Sequence, residues 1–176
     1  MYNLRTAILS DLRVELLDEF ERNFIRKAFF DRPWPTRKME GRGSLLLVSG
    51  RMRRSLRCTA NRSSLAFHSD VAYFSLHNRG GTVRVTPAMR KYFWAMYYKY
   101  APTQGPGEKH HTASNGPAGY YRALALTKKA EFTIPQRQVV GDHPQVGRIV
   151  HATCDRAVRE FIDKNIAPKF RKMMKK

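Results

Sequence analysis

Leu12, Leu16, Phe20, Phe24 and Ala28 recur every four residues near the start of this chain, and Ile8, Leu9 and Leu17 widen the stripe. Asp11, Arg13, Glu15, Glu19, Glu21 and Arg22 occupy the opposite side. This periodicity predicts an amphipathic helix from about Thr6 to Phe30, with one face that another layer must cover. Asp31-Arg32-Pro33-Trp34-Pro35 is expected to stop it, because proline cannot continue a helix and biases its predecessor toward extended backbone. A second stripe, Val146, Ile149, Val150, Thr153, Ala157, Phe161 and Ile162, predicts a last helix capped by Asp142, with Pro144 in its first turn and Pro168 at its end.

Between these helices the pattern is mixed. After a basic, glycine-containing loop at Arg37 to Gly43, Ser44 is a candidate N-cap for a helix from Leu45 to about Leu56. On it Leu45, Val48, Met52 and Leu56 share one face, while Arg53, Arg54 and Arg57 share another. Leu56 to Ala60 and Ser64 to His68 predict a hairpin around Asn61-Arg62, with Leu65 and Phe67 alternating inward. Asp70 is the expected cap of a short helix through Leu76, closed by Asn78 to Gly81. Thr82 to Thr86 alternates as a strand, and Pro87 opens a helix over Ala88 to Tyr100 with a stripe of Met89, Phe93, Met96, Tyr97 and Tyr100. Pro102 to Gly119 holds three prolines and four glycines and predicts a long loop, followed by a turn or two of helix within Tyr120 to Lys129. Phe132 to Val140 is expected to be extended, bent at Pro135. The expectation is one α+β domain over 1–168 with a loop at 102–119, and a basic tail over 169–176.

Charge narrows the partners. The 176 residues carry 33 Lys and Arg against 14 Asp and Glu, a net +19, so nucleic acid or an acidic protein surface is the expected neighbour. The hydrophobic fraction of 42% supports a real core. No apolar run reaches the roughly 18 residues needed to cross a bilayer, and no signal peptide is evident, so a cytosolic origin without membrane association is the default. There Cys58 and Cys154 are expected to stay reduced and to act as small hydrophobes.

No catalytic set emerges. His110-His111, His143 and His151 lack metal-ligand spacing, Cys58 lacks a partner base, Ser49-Gly50 lacks the nucleophile-elbow pattern, and Gly80-Gly81 lacks a P-loop lysine. Neither a metal nor a cofactor is expected. Arg51, Arg53, Arg54 and Arg57 suit phosphates or carboxylates of a neighbouring subunit, and equally a solvated helix face. Lys169, Arg171 and Lys172 extend the candidate contact surface.

Three segments carry more than any single residue: Leu46 to Leu56 with its Ser49-Gly50 and Ser55-Leu56, Tyr73 to Gly81 with His77-Asn78 and Gly80-Gly81, and Ile134-Pro135-Gln136-Arg137. In that order, behind Pro33-Trp34-Pro35, they resemble the phage virion morphogenesis family, the group that includes the tail completion proteins of Mu-like phages. The similarity spans about Phe20 to Ile162. Where the family commonly follows this last motif with an aromatic residue and a glycine, the chain has Gln138-Val139-Val140-Gly141.

The resemblance implies an α+β fold, a small antiparallel sheet packed against long helices, as in tail-completion and head–tail connector proteins. It implies a structural role without catalysis, in a ring that completes the tail or joins it to the head. The expected partners are copies of itself, six being the expected number, other neck or tail proteins, and packaged DNA. The expected location is the virion, after assembly in the host cytoplasm. Trp34, Ser49, Gly50, His77, Gly80, Gly81, Pro135 and Arg137 become its fold-determining positions. The competing class is a basic nucleic-acid-binding protein, motivated by charge and interleaved aromatics; an enzyme such as a nuclease would need acidic metal ligands that are not evident.

Overall fold

The computed structural model describes residues 3–37, 44–101 and 116–174, apart from the side chain of Lys172. Helix α1 spans Leu4–Arg26, its first turn capped by Asn3, whose side chain accepts from the Thr6 amide at 3.3 Å. It ends four residues before the expected Phe30. Lys27 takes left-handed backbone (φ 56°) and its amide closes on the Asn23 carbonyl, so the stop lies in the helix's own last turn and not at the prolines. The chain then folds back as a minimal ribbon, β1 (Ala28–Phe29) against β2 (Arg32–Pro33). The apolar stripe reads through: Leu12, Leu16, Phe20 and Phe24 are buried on α1, and Ala28 is buried on β1.

The expected helix over 45–56 is not continuous. Leu46 (φ 58°) and Gly50 (φ 66°) both adopt left-handed backbone, which breaks a right-handed helix at each point, and only α2 (Arg51–Arg54) is helical. Leu45, Leu46 and Leu47 pack as an irregular flap, and Val48, expected inside, is 61% exposed. Helical spacing of apolar residues arises here from a turn, not a helix.

Strand β3 (Leu56–Ala60) pairs antiparallel with β4 (Leu65–Ser69), with Leu56 opposite Ser69 and Ala60 opposite Leu65. Leu56 and Cys58 point inward beneath α1, where Phe20 meets Phe67 edge to face at 4.9 Å. Helix α3 covers Phe74–Arg79. It starts after the expected Asp70, because Ser69 Oγ accepts the Val71 amide and a separate turn occupies 71–74.

Strand β5 (Gly81–Arg84) pairs antiparallel with β6 (Glu131–Ile134), Gly81 opposite Ile134, so the ends of a long excursion are stapled together. The excursion holds α4 (Pro87–Tyr100) and α5 (Gly116–Ala125). These pack on each other through a Tyr100–Tyr121 stack at 5.8 Å and through Arg90 Nη1, which donates to the carbonyls of Ala125 and Thr127. The loop expected over 102–119 therefore ends at Gly116, where Pro117 fits a first helical turn and Ala118 is buried; 102–115 lie outside the described residues.

Helix α6 (Pro144–Phe161) is capped by His143, not Asp142: the imidazole Nδ1 accepts the Gln145 amide at 3.2 Å. It does not stop at Pro168. A π turn (Ile162–Ile166) leads directly into α7 (Ala167–Met173), and Pro168 sits in that helix's first turn, where its missing N–H is not needed. The stretch expected as a basic tail is thus helical to Met173, while 175–176 lie outside the described residues.

The protein is α+β, with antiparallel two-stranded ribbons packed among helices. α1 packs on α6 and on the β3–β4 ribbon, and two apolar clusters meet around Phe74 and Val140. No helix among the described residues is long and apolar enough to cross a membrane.

Candidate functional site

The three motif segments and Trp34 converge on one short stretch of backbone, Gln136 to Val140. After β6 this stretch has no strand beside it, so its amides and carbonyls need other partners. Asn78 supplies three of them. Its Oδ1 accepts the amides of Val139 (2.7 Å) and Val140 (2.9 Å), and its Nδ2 donates to the Val140 carbonyl at 3.0 Å. The Trp34 indole donates to the Gln138 carbonyl at 2.7 Å, and Asn23 Nδ2 donates to the Val139 carbonyl at 3.0 Å. The Arg137 amide donates to the His77 carbonyl at 2.7 Å.

Asn23 also works in the other direction. Its Oδ1 accepts the Phe30 amide at 3.0 Å, so one fully buried side chain ties the end of α1, the β1–β2 turn and residue 139 together. Around these bonds Phe24, Trp34, Met52 and Val139 form a closed apolar cluster. Arg137 is buried and its guanidinium donates to the carbonyls of Pro35 and Thr36. Burial, with Arg37 nearby, lowers its pKa from the usual arginine range.

The expected fold-determining residues find specific places. Gly80 has φ 73°, and a Cβ there would lie 3.0 Å from the Gln136 amide nitrogen, so both its conformation and its clearance require glycine. Gly81 opens the β5–β6 ribbon, and Pro135 follows its last residue, ending the ladder. Gly50 provides the left-handed entry to α2, and Ser49 Oγ accepts the Arg51 amide at 3.3 Å. His77 acts through its carbonyl. Its imidazole packs edge-on against Tyr73, its Nδ1 is buried without a hydrogen-bond partner, and burial, reinforced by Arg137, pushes its pKa down.

The arginine group is not one helix face. Arg53 pairs with Glu21 of α1 at 3.0 Å, Arg54 donates to the Ser49 carbonyl, and Arg57 lies on β3, donating to the carbonyls of Arg54 and Leu56. Arg51, Arg54 and Arg57 remain exposed. Lys169 and Arg171 are exposed on α7, which packs mainly on the π turn and is a separate surface.

Two polar contacts had no sequence signal, because their partners are more than a hundred positions apart. His143 Nε2 meets Asp31 Oδ1 at 2.8 Å while its ring stacks on Phe30 at 4.6 Å. That bond holds the Asp31 carboxyl below its ordinary range. Glu15 of α1 accepts from Thr153 Oγ1 at 2.6 Å and from Arg156 of α6, and these two bonds lower its pKa. Cys58 is buried and its thiol pKa is pushed up; neither cysteine is in a disulfide.

Among the described residues no group of three or more His, Cys, Asp or Glu is placed to hold a metal ion. An open cleft of about 380 Å³ on α6 is lined by Ala152, Asp155, Arg156, Arg159, Glu160 and Asp163, charges of both signs without a nucleophile. The arrangement defines an α+β scaffold whose sequence motifs meet at a structural joint. No family model matches the chain, and neither a curated protein nor a solved structure matches it.

Proposed function

We propose that this chain is a structural subunit of a bacteriophage particle, one that completes the tail or joins it to the head as a ring at the neck, and that it performs no catalysis. The observation that carries the reading is the convergence of the motif residues. Trp34, Met52, His77-Asn78 and Gly80 lie up to about a hundred positions before the single stretch 136–140, yet each meets it. A motif order that encodes one joint is what a shared scaffold leaves in sequence, and it is the same order that resembles the virion morphogenesis family.

The electrostatics support assembly against an anionic neighbour. Several acids of α1 are engaged within the chain: Glu15 by Arg156, Asp18 and Glu19 by Arg22, Glu19 by Arg26, and Glu21 by Arg53. Each of these acids is offset by a cation of the same chain, and the net +19 repels like copies until an acidic surface or packaged DNA screens it. Ring subunits meet head to tail through two different faces, so no self-complementary patch is needed for the ring itself.

The test is imaging of particles assembled from a phage genome lacking this chain. Tail-less heads beside free tails are the expected result. Normal virions in the absence of the chain would refute the role. Under the competing reading, a nucleic-acid-binding protein, particles look normal and the purified monomer binds bare duplex DNA with a steep salt dependence.

A further inference from the structure

The excursion between β5 and β6 is short of acids. From Gly81 to Ile134, among the described residues, Arg84, Arg90, Lys91, Lys99, Arg122, Lys128 and Lys129 stand against a single acid, Glu131. Cations elsewhere are interlaced with acids, as in Arg22–Asp18 on α1 and Lys164–Glu160 after α6. No ion pair among the described residues falls on the excursion. The segments 1–2, 38–43, 102–115 and 175–176 are each neutral or basic in sequence, so none of them can cancel this excess. The same excursion carries Tyr92, Tyr98, Tyr100 and Tyr120, between 37% and 60% exposed; the other exposed aromatics among the described residues are Tyr73 and Phe170.

Cations and rings share one face. At about 100° per residue, Lys91, Tyr92, Ala95, Tyr98 and Lys99 fall within about 120° of the circumference of α4, and all are exposed. Lys91 and Tyr98 flank Ala95 on one side, Tyr92 and Lys99 on the other. Phe93 and Tyr97 lie on the opposite face and are buried. Tyr98 stacks on Trp94 at 6.1 Å and Tyr100 on Tyr121 at 5.8 Å, which restricts these rings before any partner arrives. We infer that this face binds single-stranded nucleic acid, with lysines and arginines on the phosphates and tyrosine rings against unpaired bases. The charge calls for a polyanion, and the rings decide which one. A duplex hides its base faces within its own stack, and an acidic protein surface leaves the tyrosines without a stacking partner. This binding is independent of the neck role, which particle imaging tests separately.

The test is fluorescence anisotropy of the purified full chain with labelled oligothymidylate of about 20 nucleotides, and with a duplex of equal length, at about 0.2 M salt. Duplex DNA is the denser polyanion, so charge alone favours it; the expected result is tighter binding of the single strand. Tyr92→Ala and Tyr98→Ala should each weaken single-strand binding by roughly tenfold and leave duplex binding unchanged, while Tyr98→Phe, which keeps the ring, retains it. Lys91→Gln with Lys99→Gln should lower the slope of log affinity against log salt by about 1.4. Lys169→Gln with Arg171→Gln, which removes the same charge from α7, should leave that slope unchanged. These side chains are exposed, and circular dichroism checks that each variant is folded. Duplex bound as tightly as the single strand, alanine variants without effect, a salt slope that falls equally for the α7 variant, or no binding to either nucleic acid overturns the proposal.

Discussion

Asn78 and Val140 form a closed pair: the Asn78 side chain accepts the Val140 amide at 2.9 Å and donates to the Val140 carbonyl at 3.0 Å. One amide thereby mimics a strand partner for a segment that has none, and the same oxygen also takes the Val139 amide. The joint between α3 and the approach to α6 rests on this side chain.

Replacing Asn78 with Leu removes three hydrogen bonds and strands their backbone partners. With about 1–3 kcal/mol for each buried polar group left unsatisfied, the loss should be roughly 3 kcal/mol or more. Asn78→Asp keeps the acceptor and should cost less. Urea unfolding midpoints of the two variants give the order, and equal midpoints would contradict the assigned role.

Trp34→Phe keeps most of the apolar contact with Phe24 but strands the Gln138 carbonyl. The expected loss is about 1–3 kcal/mol, against about 3–5 kcal/mol for Trp34→Ala, which also leaves a cavity. Thermal unfolding of both variants resolves the two contributions.

His77 should make stability pH-dependent. Burial holds its folded pKa below that of the unfolded chain, so its contribution is complete above about pH 6.5 and is lost as the pH falls and the unfolded state takes up the proton. Glu15 and Asp31 have lowered folded pKa values, so their contributions are present above about pH 4 and are lost only below it. His77→Gln should flatten the stability profile just below about pH 6.5, where the unfolded imidazole takes up its proton, and leave the carboxylate limb below about pH 4 unchanged. An unaltered profile in the upper window would show that the imidazole is not responsible.

Cys58 should resist thiol reagents. It is buried on β3 and its thiolate is disfavoured, whereas Cys154 is only half-buried. Titration with an aromatic disulfide should modify one thiol promptly and the second only on unfolding, and Cys154→Ser should abolish the fast phase.

Regular elements were legible in the sequence. The four-residue stripe gave α1, and alternation over Leu56 to Ala60 and Leu65 to Phe67 gave the hairpin, because each signal is local. The breaks were not. Leu46 takes left-handed backbone that its side chain does not announce, and Pro168 reads as a stop although a π turn places it at a permitted first-turn position. The joint was half legible: Gly80-Gly81 stood out by type, and Asn78 and Arg137 through the motifs. Asn23 did not, and neither did what Asn78 binds, because the carbonyls they reach lie 116 and 62 residues away.

The most direct test of the proposed neck role is whether, and where, the chain sits in phage particles. Gold-labelled antibody against it, applied to assembled particles and to purified tails, should mark a single site where the tail meets the head. Label spread over the capsid or along the whole tail, or particles that carry none, would contradict the assignment to the neck.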